Sequence, residues 1–155
     1  MTARSPSSIL ITGGSGFIGS NFINYLFDKY PDITITNYDA LTYAANQKAL
    51  VHHKNNPGYH FIHGNICDLP LLTNAISSIE PDIVINFAAE SHVDRSIADA
   101  SPFISSNISG VHNLLEICRK LDIPGFIQIS TDEVYGTLGS DGYFTEDSPL
   151  KPRSP

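Results

Sequence analysis

The chain has 155 residues, a formal net charge of −7 and 41% hydrophobic residues, which suits one domain with a packed core. Acidic residues outnumber basic ones and no Lys/Arg run occurs, so nucleic acid and anionic membranes are not expected as partners. A phosphorylated small ligand stays open, because backbone N–H groups can hold phosphate without basic side chains. Two distant cysteines, Cys67 and Cys118, form neither a disulfide framework nor a CxxC motif, as expected for a reducing compartment. The start is polar, and the run Ile9-Leu10-Ile11 is too short for a secretory leader. No stretch is long enough to span a membrane, so a cytoplasmic protein is expected.

Short apolar runs alternate with helical patterns. Ser8–Thr12 reads as a buried strand, and Phe17–Lys29 carries a helical stripe of Phe17, Ile18, Phe22, Ile23, Leu26 and Phe27. Residues 33–38 alternate like a strand, and 60–63 form a third candidate. A helix is predicted over 70–79, with Asp68 as its cap and Pro70 in its first turn. The nearly continuous apolar run 83–89 predicts a central parallel strand covered on both faces. A long helix is predicted over 102–121, with Phe103, Ile104, Ile108, Val111, Leu114, Leu115 and Cys118 inward, then a fifth strand over 125–130. Strands separated by helices imply right-handed crossovers and a doubly wound parallel α/β sheet of the Rossmann type. The tail 137–155 is rich in Gly, Ser, Pro and acidic residues and reads as a loop. A doubly wound sheet usually continues past a fifth strand, so residues 1–155 are expected to form one incomplete domain, truncated after it.

Between the first strand and first helix lies Thr12-Gly13-Gly14-Ser15-Gly16-Phe17-Ile18-Gly19. Strand before and helix after are the context a dinucleotide-binding turn requires. Gly13 permits the tight turn, Gly16 lets the backbone approach a pyrophosphate, and Gly19 lets the helix pack close to the strand. The helix N-terminus then offers N–H groups and a positive dipole end to the phosphates. Asp39 ends the second strand, 20 residues after Gly19. Its carboxylate can accept the adenine ribose hydroxyls and would repel a 2′-phosphate, and the next residue is Ala40 rather than Arg, which favours NAD over NADP.

The glycine spacing resembles the extended short-chain dehydrogenase/reductase superfamily. Three further segments, Asp39-Ala40-Leu41-Thr42-Tyr43-Ala44, Ala88-Ala89-Glu90-Ser91-His92-Val93-Asp94-Arg95-Ser96 and Ser130-Thr131-Asp132-Glu133-Val134-Tyr135-Gly136, resemble the dTDP-glucose 4,6-dehydratases within it. That resemblance implies a hydro-lyase acting on a nucleotide-activated glucose. Oxidation at C4 makes the C5 proton acidic, water leaves across C5–C6, and the hydride held by NAD returns to C6. It implies Glu133 as the base at C5, Asp132 as the acid that protonates the departing hydroxyl, and Thr131 as a hydrogen-bond partner of the 4-hydroxyl. For the cofactor it implies Phe17 and Ile18 against the pyrophosphate, and Asp39, Ala40, Leu41 and Thr42 around the adenosine ribose. Asn65 and Ile66 would border the adenine, and Phe87, Ala88, Ala89, Glu90 and Ser91 would follow the nicotinamide half. Ser91 would also touch substrate, and Ser106 would approach the cofactor from the long helix. A dTDP-glucose substrate and a homodimer in the full-length form belong to the same implication. Asn65 stands where the family often has Asp, and Ala45 where it often has Gly.

The family resembled also carries a Tyr-x-x-x-Lys pair on a helix after this tail, and the sequence reaches Ser154-Pro155 where that helix is expected. The 155 residues alone are therefore expected to be inactive, and the base-reading substrate domain to lie elsewhere. Tyr25 and Lys29 have the right spacing but the wrong helix. His52, His53, His60 and His63 lack an accompanying Cys or carboxylate cluster, so surface and loop positions are expected rather than a metal site. His92 is expected to pack or orient, Asn107 and Gly110 to serve close helix packing, and Cys118 to sit in the core. Two alternatives remain at this point. One is a nucleotide-sugar 4-epimerase or decarboxylase, which would not need the acid–base pair; the other is a non-catalytic NAD-binding module.

Overall fold

A computed structural model describes residues 6–153; Met1–Ser5, within the polar start, and the Ser154-Pro155 end, where a further helix was expected, lie outside the described residues. Five strands, β1 (Ser8–Thr12), β2 (Thr34–Asp39), β3 (Tyr59–His63), β4 (Ile83–Asn86) and β5 (Gly125–Gln128), form one sheet in the order β3-β2-β1-β4-β5. Every neighbouring pair is parallel. The order reverses between β1 and β4, and in a doubly wound sheet ligands bind at such a switch point, beyond the strand C-termini.

Alternation along the central strands feeds two cores. Leu10 and Val84 point to one face, where α2 (Leu69–Ile79) and α5 (Val111–Lys120) bury Leu72, Ile76, Leu114, Ile117 and Cys118. Ile9, Ile11, Ile35 and Ile85 point to the other, where α1 (Phe17–Lys29) supplies Ile23, Leu26 and Phe27. Two-sided burial is why these strands read as apolar runs. Asp68 caps α2 by accepting from the Leu71 N–H at 3.1 Å. A 3₁₀ helix over Gln47–His53 covers the α1 face through Leu50.

The long helix is built differently from its sequence pattern. Its first turn, α4 (Ser101–Phe103), runs through a π-helical segment, Ile104–Gly110, into α5. Ile104, Ile108 and Leu115, expected inward, are 53%, 62% and 47% exposed. The inward positions include Gly110, Leu114, Ile117 and Cys118. The cause is closeness: a Cβ at Gly110 would lie 2.5 Å from Ile66 Cδ1, so a small residue takes the inward face and the larger apolar stripe turns outward.

Strand β4 ends at Asn86 rather than running to Ala89. The Asn86 side chain accepts from the Ala88 N–H at 3.2 Å, so the chain leaves the ladder there. Residues 93–98 form a short helix, α3 (Val93–Ala98). His53 is buried rather than at the surface: it packs its ring 4.6 Å from Phe27 and bonds Asn24 Oδ1 at 2.9 Å. Both cysteines are free, and burial pushes the Cys118 thiol up to about 11. No described helix is long and apolar enough to cross a membrane.

Candidate functional site

The β1–α1 turn is shaped by contact with the loop that follows the neighbouring strand β4. Gly13 has φ +69°, and a Cβ there would stand 2.5 Å from the Ala88 backbone nitrogen, so conformation and space both exclude a side chain. A Cβ at Gly19 would reach 2.5 Å from the Gly13 carbonyl oxygen, which is how closely α1 approaches the turn. Gly16 occupies the cap position of α1, and no side chain caps the helix. Its first N–H groups have no partner within the helix and point past the turn. Phe17 and Ile18 stand 83% and 62% exposed beside them.

Asp39 sits at the end of β2 and is buried, 7% exposed. One carboxylate oxygen accepts from the Ser15 N–H at 2.8 Å and the other from the Leu41 N–H at 2.7 Å. A carboxylate has roughly four acceptor sites, so two backbone bonds leave capacity for a ligand. The same bonds fix the glycine turn against the loop after β2, where Leu41 takes a left-handed φ of 51°.

Beyond the sheet edge these segments enclose a cleft of about 250 Å³. Of the predicted residues, Gly13, Gly16, Asp39, Ala40, Thr42, Asn65, Ile66, Phe87, Ala88, Ala89, Glu90 and Ser106 line it. Phe17, Ile18, Gly19, Leu41 and Ser91 do not, although the first three begin the helix at its rim. A second hollow of similar size lies between α2 and α5, lined by Leu69, Thr73, His112 and Lys120 among others; it contains none of the predicted site residues.

Sequence reasoning missed several groups here. Tyr38 is fully buried and donates to the Asn65 carbonyl at 3.1 Å, and burial, with Asp68 nearby, pushes its hydroxyl up to about 12. Nothing in a strand pattern distinguishes such a tyrosine from a core residue. Asn65 uses its amide oxygen to accept from the Cys67 N–H at 2.9 Å. Asn107, expected to serve helix packing, instead holds the Glu90 backbone twice, accepting from its N–H at 2.9 Å and donating to its carbonyl at 2.8 Å. A polar chain, from the buried Thr12 and Asn86 out to the exposed Gln128, ties the ends of β1, β4 and β5.

Thr131, Asp132 and Glu133 follow β5 on the same edge of the sheet, exposed and outside the cleft lining. Thr131 caps a 3₁₀ turn over Asp132–Tyr135, accepting from the Glu133 N–H at 3.3 Å. The turn is braced by the Lys151 N–H donating to the Val134 carbonyl at 2.9 Å and by Tyr135 stacked on Phe144. Tyr25 and Lys29 face solvent on α1, with Lys29 Nζ donating to Tyr25 Oη at 2.9 Å. Among the described residues no group of three His, Cys, Asp or Glu side chains could hold a metal ion.

Comparison with known proteins places this architecture. A low-salt glycan biosynthesis protein, Agl12, of Haloferax volcanii is 50% identical over 95% of this chain and 46% of its own length. The dTDP-glucose 4,6-dehydratase of Haemophilus influenzae is 49% identical over 96% of this chain and 46% of its own. The dTDP-glucose 4,6-dehydratase of Bacillus anthracis, solved in complex with NAD, superposes with a TM-score of 0.86 at 42% identity, covering 96% of this chain and 45% of that one. The chain thus spans about half the length of the relatives it matches. The sequence pattern of the GDP-mannose 4,6 dehydratase family matches residues 10–155, and the chain belongs to that family.

Proposed function

We propose that this chain is the NAD-binding part of a dTDP-glucose 4,6-dehydratase, a hydro-lyase that makes dTDP-4-keto-6-deoxyglucose. The observation that carries the reading is a juxtaposition. The Thr131-Asp132-Glu133 segment and the cleft at the β1–β4 switch point leave the same edge of one sheet. The 49% identity to a dTDP-glucose 4,6-dehydratase supports the choice of sugar nucleotide. An epimerase or decarboxylase would have no use for the acid–base pair.

The residues fit a dinucleotide. Gly13 leaves a cradle that a Cβ would fill, α1 is uncapped, and Asp39 is buried at the end of β2. Gly16, whose own N–H bonds the Gly13 carbonyl at 3.1 Å, would let the backbone approach the pyrophosphate, and Phe17, Ile18 and Gly19 would present backbone N–H groups to it. Asp39, with Ala40 to Thr42, would hold the adenosine ribose, and Asn65 and Ile66 would border the adenine. Phe87 to Ser91 and Ser106 would flank the nicotinamide half. NAD, when bound, supplies the hydride acceptor for C4 and the hydride donor for C6.

Glu133 would take the C5 proton and Asp132 would give one to the departing C6 hydroxyl. Thr131 would orient the 4-hydroxyl, and Ser91 would meet the sugar. One group accepting while its neighbour donates is the arrangement elimination requires. The outward stripe of Ile104, Ile108 and Leu115 supports a homodimer, since an apolar patch of this kind favours self-association. The free cysteines support a cytoplasmic location. The test is exchange of the C5 proton with solvent in the full-length polypeptide. Unmodified protein with NAD and dTDP-glucose should show it, and Glu133→Gln should lose it by about 10²–10⁴-fold. Exchange persisting at the original rate would refute the assignment of the base.

A further inference from the structure

Two loops form facing walls of the cleft: the segment after β2, which contributes Ala40, Thr42, Ala44 and Ala45, and the segment after β4, which contributes Phe87 to Glu90. Tyr43 lies within the first wall but is not part of the lining, and its side chain is half exposed. It reaches the opposite wall instead. Tyr43 Oη donates to Glu90 Oε2 at 2.9 Å, and the Arg95 guanidinium lies 3.8 Å from the centre of the Tyr43 ring. The His92 ring stands 5.8 Å from the same ring.

Each wall is anchored at its base by stronger ties. Leu41 is held by the buried Asp39 carboxylate, and the Asn46 N–H donates to the Ser15 carbonyl at 2.7 Å. On the other side Glu90 is fastened by both bonds to Asn107. The bridge between them is solvent-exposed and consists of one side-chain hydrogen bond and one ring contact. It can therefore break without loss of the fold.

We infer that Tyr43, Glu90 and Arg95 form a clasp across the mouth of the cleft that gates dinucleotide exchange. The inference rests on the cleft being the dinucleotide site. A reaction that returns its hydride to the same sugar fails whenever reduced cofactor escapes in mid-cycle, so slow exchange serves it. A clasp that must open for both entry and exit slows both rates, leaving affinity unchanged, whereas a ligand contact changes affinity.

The experiment is stopped-flow measurement of NADH association and of its displacement by excess NAD, on the full-length protein. Tyr43→Phe, which keeps the ring under Arg95, is expected to raise both rate constants about 3-fold. Tyr43→Ala, which removes both contacts, should raise them about 10-fold. Kd and melting temperature should stay unchanged. Arg95→Met, at an exposed position, repeats the test should Tyr43→Ala fail to fold, with an expected rise of about 3-fold in both rates. Unchanged rates overturn the clasp, and so does a rise in dissociation alone with weaker Kd, which would make Tyr43 a ligand contact; in either case the dinucleotide reading survives. Failure of the unmodified protein to bind NADH removes both.

Discussion

Replacing Asp39 by Asn separates what this carboxylate does for the fold from what it does for a ligand. In the structure it accepts the Ser15 and Leu41 N–H groups at 2.8 and 2.7 Å. An amide of the same shape keeps one acceptor and turns an NH₂ toward the other N–H. One charge-assisted bond is lost, at about 1.5–3 kcal/mol, and urea unfolding should register a loss of that size. Selectivity should move the other way. A unit negative charge about 4 Å from a 2′-phosphate costs roughly 4 kcal/mol at an effective dielectric constant near 20, and solvent reduces this at the cleft mouth. The NAD:NADP affinity ratio should therefore exceed about 10-fold in the unmodified protein and collapse toward unity in Asp39→Asn. Calorimetric titration with both dinucleotides gives the two ratios. Equal affinities in the unmodified protein, or a ratio untouched by the substitution, would refute the reasoning.

Gly13→Ala should destabilise by about 2–5 kcal/mol, combining left-handed backbone strain with a clash against Ala88, and urea unfolding should show it. Gly110→Ala should cost about 1–3 kcal/mol, because the new methyl meets Ile66, and Ile66→Val in the same chain should restore part of it. Stability should fall as pH rises above about 9: burial raises the Cys118 thiol to about 11 and the Tyr38 hydroxyl to about 12, so the unfolded chain releases these protons first and gains over the native state. Denaturant midpoints flat between pH 8 and 11 would contradict that. Alkylation of the folded protein at pH 8 should modify the exposed Cys67 well ahead of the buried Cys118.

The sheet and its switch point were legible because strands buried on both faces leave apolar runs, and because Asp68 and the Gly13–Gly19 spacing carry local signals. The inward face of the long helix was not. Periodicity weights large apolar residues, while Gly110 faces inward because the backbone approaches Ile66, and Ser106 lines the cleft. The 3₁₀ helix Gln47–His53 and the helix Val93–Ala98 escaped because both are short and owe their place to tertiary contact. Much of the cleft lining followed from motifs, since those segments lie at strand ends. The contacts that join them, Tyr38 to Asn65, Asn107 to Glu90 and Tyr43 to Glu90, link residues 17 to 47 positions apart, and no local pattern announces such pairs.

In the proposed reaction a hydride leaves C4 and returns to C6 of one sugar, beside Glu133 and Asp132. Incubating the full-length protein with NAD and dTDP-glucose deuterated at C4 tests this directly. Mass spectrometry and NMR of the product should show loss of one water and deuterium at C6, with no accumulation of reduced cofactor. A product that keeps its 6-hydroxyl, or a label that ends in free reduced cofactor, would contradict it.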